Sequence, residues 1–141
     1  MKKYLIPITI CFLLLGVLSC KKDKDGVPDV AVDIYIDLNS YVYTNLNAVG
    51  GYVYVTGGYK NKGIIVYRRS IDEFKAYDRS CTYDPDNDCR LTVMTSGLEV
   101  WDSCCGSKYI ITDGTPTNKP ATLPMKAYQT ILSGNTLHIV N

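Results

Sequence analysis

Apolar and polar residues alternate strictly from Val30: Val30, Val32, Ile34, Ile36 and Leu38 share one side, while Ala31, Asp33, Tyr35 and Asp37 share the other. A period of two puts these sets on opposite faces of an extended strand with one face buried. Tyr52-Val53-Tyr54-Val55-Thr56 and Gly63-Ile64-Ile65-Val66-Tyr67 carry the aromatic and β-branched residues that suit strands. Gly57-Gly58 and Asn61-Lys62-Gly63 lie between them and predict a hairpin with a longer loop. A short strand is expected from Glu73 to Tyr77. Leu91 to Met94 and Leu98 to Trp101 flank Ser96-Gly97, a second hairpin signal. Lys108 to Thr112 ends at Asp113-Gly114, and Tyr128 to Leu132 turns through Ser133-Gly134-Asn135 into Thr136 to Val140. Pro116, Pro120 and Pro124 predict irregular chain over 115–124, because proline fixes φ and removes a ladder donor. Beyond the first twenty or so residues, no stretch sustains a helical period. The pattern is that of an all-β sandwich or small barrel with about eight to ten short strands.

The opening of the chain follows a different rule. Lys2 and Lys3 precede an apolar run from Leu5 to Leu18, broken only by Pro7, Thr9 and Gly16. A basic start, a short apolar run and small residues at its end read as a secretory signal. The run is too short for a comfortable bilayer span. Val17-Leu18-Ser19-Cys20 has the form of a lipobox, which makes residues 1–19 the signal peptide and Cys20 the lipidated residue. Residues 20–29 then form a charged, flexible tether, and residues 30–141 form one domain. A formal charge of +1 offers no electrostatic reason to expect nucleic acid as a partner.

Export changes how the cysteines are read. Of six, Cys11 leaves with the signal and Cys20 carries lipid, so Cys81, Cys89, Cys104 and Cys105 remain. An even number in an exported domain points to disulfides. Four cysteines allow three pairings, and the one joining the neighbours Cys104 and Cys105 ranks last because its ring is strained. The single histidine, His138, lies in an expected strand, and no Ser/His/Asp set supports nucleophilic catalysis. No Cys-x-x-Cys spacing supports thiol redox chemistry. Asp84-x-Asp86-x-Asp88 has the charge for Ca²⁺ but lacks an EF-hand's glycine and terminal glutamate, so it reads as a solvated acidic turn. The twelve tyrosines are expected to pack and cover sheet faces, with Tyr41, Tyr43, Tyr52 and Tyr54 as a candidate partner surface.

From Gly63 onward the order of short motifs carries more information than any one of them. Ile65-Val66-Tyr67-Arg68 leads to Ala76-Tyr77-Asp78-Arg79-Ser80-Cys81-Thr82-Tyr83, and the hairpin of residues 91–101 leads to Asp102-Ser103-Cys104-Cys105-Gly106-Ser107. Gly114, Pro120-Ala121, Pro124-Met125, Tyr128 and a closing Gly134-x-x-Leu137-x-Ile139-Val140 follow. In this order the chain resembles the Rieske-like domain family, and in particular short exported lipoproteins similar to Rieske and nitrite reductase small-subunit proteins. The resemblance implies a small antiparallel β-sandwich or barrel whose two loop tips meet at a cluster site. Rieske loops read Cys-x-His and Cys-x-x-His, and hold a [2Fe–2S] centre with two Cys on one iron and two His on the other.

Matched residue by residue, Cys81 retains the first Cys position, Tyr83 stands at the first His, Asp102 at the second Cys and Cys105 at the second His. Cys104 and Cys89 fall where some family members carry an extra disulfide between the loops. The resemblance therefore implies Cys81–Cys105 and Cys89–Cys104 bridges, in preference to Cys81–Cys104 with Cys89–Cys105. It implies a degenerate site with no catalytic residue, no metal ligand set and no cofactor expected. The expected role is a non-enzymatic binding or structural module held to the cell envelope by its lipid, facing the periplasm or the outside, with an envelope protein as partner. The alternative is an electron-transfer protein holding a [2Fe–2S] cluster through Cys81, Tyr83, Asp102 and Cys105.

Overall fold

Ten strands form in chain order, and their burial follows the alternation that the residues set. The structure, a computed structural model, describes residues 26–141. The expected signal peptide, Cys20 and most of the expected tether lie outside the described residues. The strands are β1 (Asp33–Asp37), β2 (Tyr52–Val55), β3 (Ile64–Arg68), β4 (Phe74–Asp78), β5 (Thr92–Val93), β6 (Glu99–Trp101), β7 (Lys108–Ile110), β8 (Pro116–Asn118), β9 (Ala127–Ser133) and β10 (Thr136–Val140). They build a six-stranded sheet in the order β1-β10-β9-β4-β3-β2 and a four-stranded sheet in the order β5-β6-β7-β8. Every pairing is antiparallel. The all-β reading holds.

The larger sheet has one strand pair that is buried on both faces. Ile64, Val66 and Ala76 join Ile36, Leu46, Phe74, Leu137 and Ile139 in one apolar cluster. Ile65, Tyr67 and Tyr77 point the other way, into a second cluster with Leu91, Val93, Val100, Tyr109, Ile111 and Met125. The unbroken apolar run Ile64-Ile65-Val66-Tyr67 is thus a strand covered on both sides, as such runs are in sheet interiors. The second cluster holds the smaller sheet against β3 and β4, and so fixes where the loops leaving β4 and β6 end up.

Two departures from expectation have local causes. Residues 115–124 are not wholly irregular, since Pro116–Asn118 pairs with β7 across a register shift at Lys108/Tyr109. β8 is the edge of its sheet and Pro116 is its first residue, a place where a missing N–H disturbs no ladder. Tyr41–Asn47, where no element was expected, forms 3₁₀ turns whose Leu46 is fully buried. The four tyrosines do not make one surface. Tyr43 packs against the first cluster and Tyr52 against the second, while Tyr41 is exposed. Tyr54 Oη accepts from Val93 N–H at 2.9 Å, and the Arg79 guanidinium lies 4.0 Å over its ring.

The last residue assigned to the tether is tied down. Asp29 pairs with Lys126, which holds the Asp29 carboxyl below its ordinary range.

Candidate functional site

Two loops meet at the end of the smaller sheet. The first runs from Arg79 to Leu91, between β4 and β5; the second, Asp102 to Ser107, joins β6 to β7. Strand ends anchor the first: Arg79 N–H donates to Gly63 O, Arg79 Nε donates to Leu91 O at 2.8 Å, and Leu91 N–H donates back to Arg79 O. Ser80 N–H donates to Asp78 Oδ1 at 2.8 Å. Asp78 is fully buried, and its Oδ2 accepts from Tyr59 N–H and from Tyr128 Oη, each at 2.6 Å.

The acidic stretch is held by cations rather than gathered around one of its own. Lys62 is buried and its ammonium donates to the carbonyls of Asn87 and Pro85, the latter at 2.9 Å. Asp86 accepts from Tyr59 Oη at 2.9 Å and pairs with Lys60 at 2.8 Å. Lys60 and Asp86 are both about half exposed to solvent screening here, so this pair orders the turn and contributes little to stability.

The second loop is closed by Asp102. Its N–H donates to Ser107 O at 3.0 Å, and its carbonyl accepts from Gly106 N–H at 2.9 Å. Its Oδ1 accepts from Cys104 N–H at 2.8 Å and Cys105 N–H at 2.9 Å. This is the Asx-turn habit of a short carboxyl side chain, and it explains why an aspartate suits the position without any metal bond. The other oxygen, Oδ2, is buried and has no hydrogen-bond partner among the described residues.

Sulfur chemistry joins the two loops in two different ways. Cys89 and Cys104 form a disulfide, with Cα atoms 5.9 Å apart. The expected second bridge is not formed: Cys81 and Cys105 are free, with sulfurs 3.1 Å apart, well beyond the roughly 2.05 Å of a covalent S–S bond. Each sulfur is held by a hydroxyl as well as by its neighbour. The Cys105 thiol donates to Ser107 Oγ at 3.1 Å, and Tyr109 Oη lies 3.4 Å from Cys81 Sγ. Burial pushes the Cys105 thiol up to about 11, against hydrogen bonds to Ser107 that pull it down. Such a thiol is a poor nucleophile at neutral pH.

Of the four positions matched to cluster ligands, three converge. One donor atom each from Cys81, Asp102 and Cys105 lie within 4.8 Å of one another. Tyr83 is not part of any hydrogen bond with them and is 53% exposed at the tip of the first loop. His138 sits on β10, where its Nε2 is 2.7 Å from Asp33 Oδ1 and its ring stacks on Tyr35 at 4.1 Å.

Three residues to which the motifs give no role help to build the site. Tyr109 Oη accepts from Thr82 N–H at 3.2 Å and meets Thr82 Oγ1 at 3.0 Å, so one hydroxyl from β7 holds the first loop. Thr82 Oγ1 in turn donates to Leu123 O at 2.9 Å. Ser107 Oγ accepts from Ala121 N–H at 3.0 Å, tying in a third stretch. The only sequence signal for Tyr109 was its inward place on a strand that leaves the second loop directly.

No family model matches the chain, and no curated protein matches it. Solved structures do. The plasma-membrane Rieske protein of the cyanobacterium Synechocystis PCC 6803 aligns over 80% of this chain and 99% of its own, with 20% identity and a TM-score of 0.51. The ferredoxin of carbazole 1,9a-dioxygenase from Nocardioides aromaticivorans IC177 aligns over 79% and 97%, with 18% identity and a TM-score of 0.49. A ferredoxin of Sphingomonas yanoikuyae B1 aligns over 69% and 93%, with 20% identity and a TM-score of 0.48. The larger sheet, the smaller sheet packed on it and the two loops that meet at its end are those of a Rieske-type all-β domain, and this chain has that fold.

Proposed function

We propose that this chain is a lipoprotein of the cell envelope whose Rieske-type domain has lost its [2Fe–2S] cluster. It serves there as a non-enzymatic binding or structural module. The lipobox form of Val17-Leu18-Ser19-Cys20 supports attachment through a lipid on Cys20, facing the periplasm or the cell exterior.

One observation carries the loss of the cluster. Cys81 and Cys105 stand at positions that serve different irons in a Rieske centre, yet their sulfurs touch at 3.1 Å. Sulfurs in contact support a site without the two irons and bridging sulfides that would otherwise separate them. The donor set points the same way: tyrosine and cysteine replace both imidazoles, and His138 is engaged on β10 with Asp33 and Tyr35. Where a cluster would clamp the two loops, the Cys89–Cys104 disulfide and the Thr82–Tyr109 hydrogen bonds hold them instead. Tyr83 projects from the tip, with Leu123 also exposed on the neighbouring stretch, and these are the side chains an envelope partner would meet first.

The test is spectroscopic. The full chain, purified from membranes in detergent, is expected to be colourless, free of iron and acid-labile sulfide, and EPR-silent after dithionite. A coloured preparation with stoichiometric iron and sulfide overturns the reading in favour of an electron carrier with altered ligands.

A further inference from the structure

We propose that Cys81, Cys105 and Asp102 form a mononuclear Zn²⁺ site where the two loops meet, with the fourth position open to solvent or a ligand. The proposal rests on the cluster-free reading of the same two loops.

The donors are assembled before any cation arrives. Two sulfurs and a carboxyl oxygen, from two loops far apart in the chain, lie within 4.8 Å of one another. Cys81 and Asp102 are fully buried and Cys105 is half-buried, so the site has a closed floor and one accessible side. Asp102 supplies the second, independent observation. Its Oδ1 is saturated by the Cys104 and Cys105 N–H groups, whereas its Oδ2 is buried with no hydrogen-bond partner among the described residues. A buried oxygen left unpaired is costly in a folded protein, and a bound cation removes that cost.

Neighbouring hydroxyls can orient the ligands, as outer-shell groups do at metal centres. Ser107 Oγ already accepts from Ala121 N–H, so its own hydrogen is free to point at the Cys105 sulfur once that sulfur is ionised. Thr82 Oγ1 spends its hydrogen on Leu123 O, which leaves the Tyr109 hydroxyl hydrogen for Thr82 Oγ1 or for Cys81 Sγ. Zinc binding releases the two thiol protons to solvent, and the dication offsets two of the three negative charges that result.

The donor set selects the metal. Two thiolates exclude the all-oxygen cations Ca²⁺ and Mg²⁺. A carboxylate beside them disfavours Cu⁺, which prefers sulfur alone. Zn²⁺ takes both donor types in a tetrahedron, with Zn–S near 2.3 Å and three protein ligands plus an open position at reactive sites. Tetrahedral geometry puts two sulfurs about 3.8 Å apart, so the observed 3.1 Å must widen by roughly 0.7 Å, within reach of a rotation of the Cys105 side chain.

The test uses the full chain, purified in detergent with a mild reductant, stripped with a chelator and titrated with Zn²⁺ against a chromogenic competitor. Co²⁺ serves as a spectroscopic substitute. One Zn²⁺ per chain at micromolar affinity or tighter is expected, with a thiolate-to-Co²⁺ charge-transfer band in the near ultraviolet. Cys105→Ser is expected to weaken binding at least 100-fold, and Asp102→Asn about tenfold, with unchanged circular dichroism. Equal binding by the Cys105→Ser variant, absence of zinc binding, or a Cys81–Cys105 disulfide that resists the reductant would each overturn the zinc site while leaving the cluster-free reading intact. Stoichiometric iron and sulfide in the untreated protein would overturn both.

Discussion

Asp78, Gly51 and Tyr77 show how much a single buried atom decides in this protein. Asp78 collects three hydrogen bonds, from Ser80 N–H, Tyr59 N–H and Tyr128 Oη, and thereby joins β4 to β9 and to the start of the first loop. Gly51 is needed for a different reason: a Cβ there would lie 1.7 Å from the carbonyl oxygen of Asn45. Backbone cannot yield as a flexible side chain does. Gly51→Ala is therefore expected to lower unfolding free energy by about 3 kcal/mol, measured by urea denaturation. Tyr77 presents the opposite case. Its hydroxyl is buried without a partner among the described residues, and burial raises its pKa. Tyr77→Phe removes an unpaired polar group at almost unchanged shape, and is expected to stabilise the domain by about 1 kcal/mol in the same assay. A fall in stability would show that the hydroxyl has a partner after all.

Among elements, the two loops matter most, and their positions come from the strands that carry them. β4 and β6 belong to different sheets, which meet through Ile65, Tyr77, Val100 and Tyr109. The loops leaving them converge because that packing aligns the strand ends. The Cys89–Cys104 disulfide then closes a segment with a sequence separation of 15, and limiting the unfolded chain over that length contributes about 3 kcal/mol. Replacing both cysteines by alanine is expected to lower the urea midpoint accordingly and to steepen the slope slightly, since the unfolded chain without its cross-link exposes more surface. A much smaller loss would mean that Lys62, with its two carbonyl contacts, and the Thr82–Tyr109 pair already hold the loop.

For the molecule taken together, three buried phenols set the response to alkali. Burial raises the pKa of Tyr77 and Tyr109, and burial together with the Asp78 hydrogen bond raises that of Tyr128. The native state therefore binds more protons than the unfolded chain once pH exceeds the ordinary phenol value of about 10. Stability from these groups is complete below that pH and falls as pH rises through the elevated native values. An alkaline unfolding limb beginning above about pH 10 is expected by circular dichroism, and Tyr109→Phe together with Tyr77→Phe should flatten it. A limb of equal slope in that double variant would exclude the phenols as its source. The proposed attachment to the envelope is tested on the entire chain as well. Cys20→Ala is expected to abolish incorporation of labelled fatty acid and to move the protein out of the membrane fraction; persistence in membranes would mean a different anchor.

Local periodicity carried most of the elements. The alternation after Val30, the apolar run at Ile64 and the Ser-Gly-Asn turn at 133–135 each specify a strand or hairpin through contacts a few residues apart, which a chain cannot hide. The ordered loop motifs likewise identified the Rieske-type fold and the cysteines that face one another. What that order could not convey is distance. Whether Cys81 and Cys105 are bonded or merely touch depends on about one ångström, and that ångström is set by how two sheets pack and by hydroxyls from Tyr109 and Ser107. The same holds for Asp102, whose residue type suggested a lost ligand but whose two oxygens divide between a turn and an unpaired burial. Pairing of β1 with β10 and of β4 with β9 belongs here too, because it joins segments that share no local pattern. Neighbouring residues impose backbone conformation through sterics and burial preference, whereas separations between remote side chains emerge only when the whole core closes.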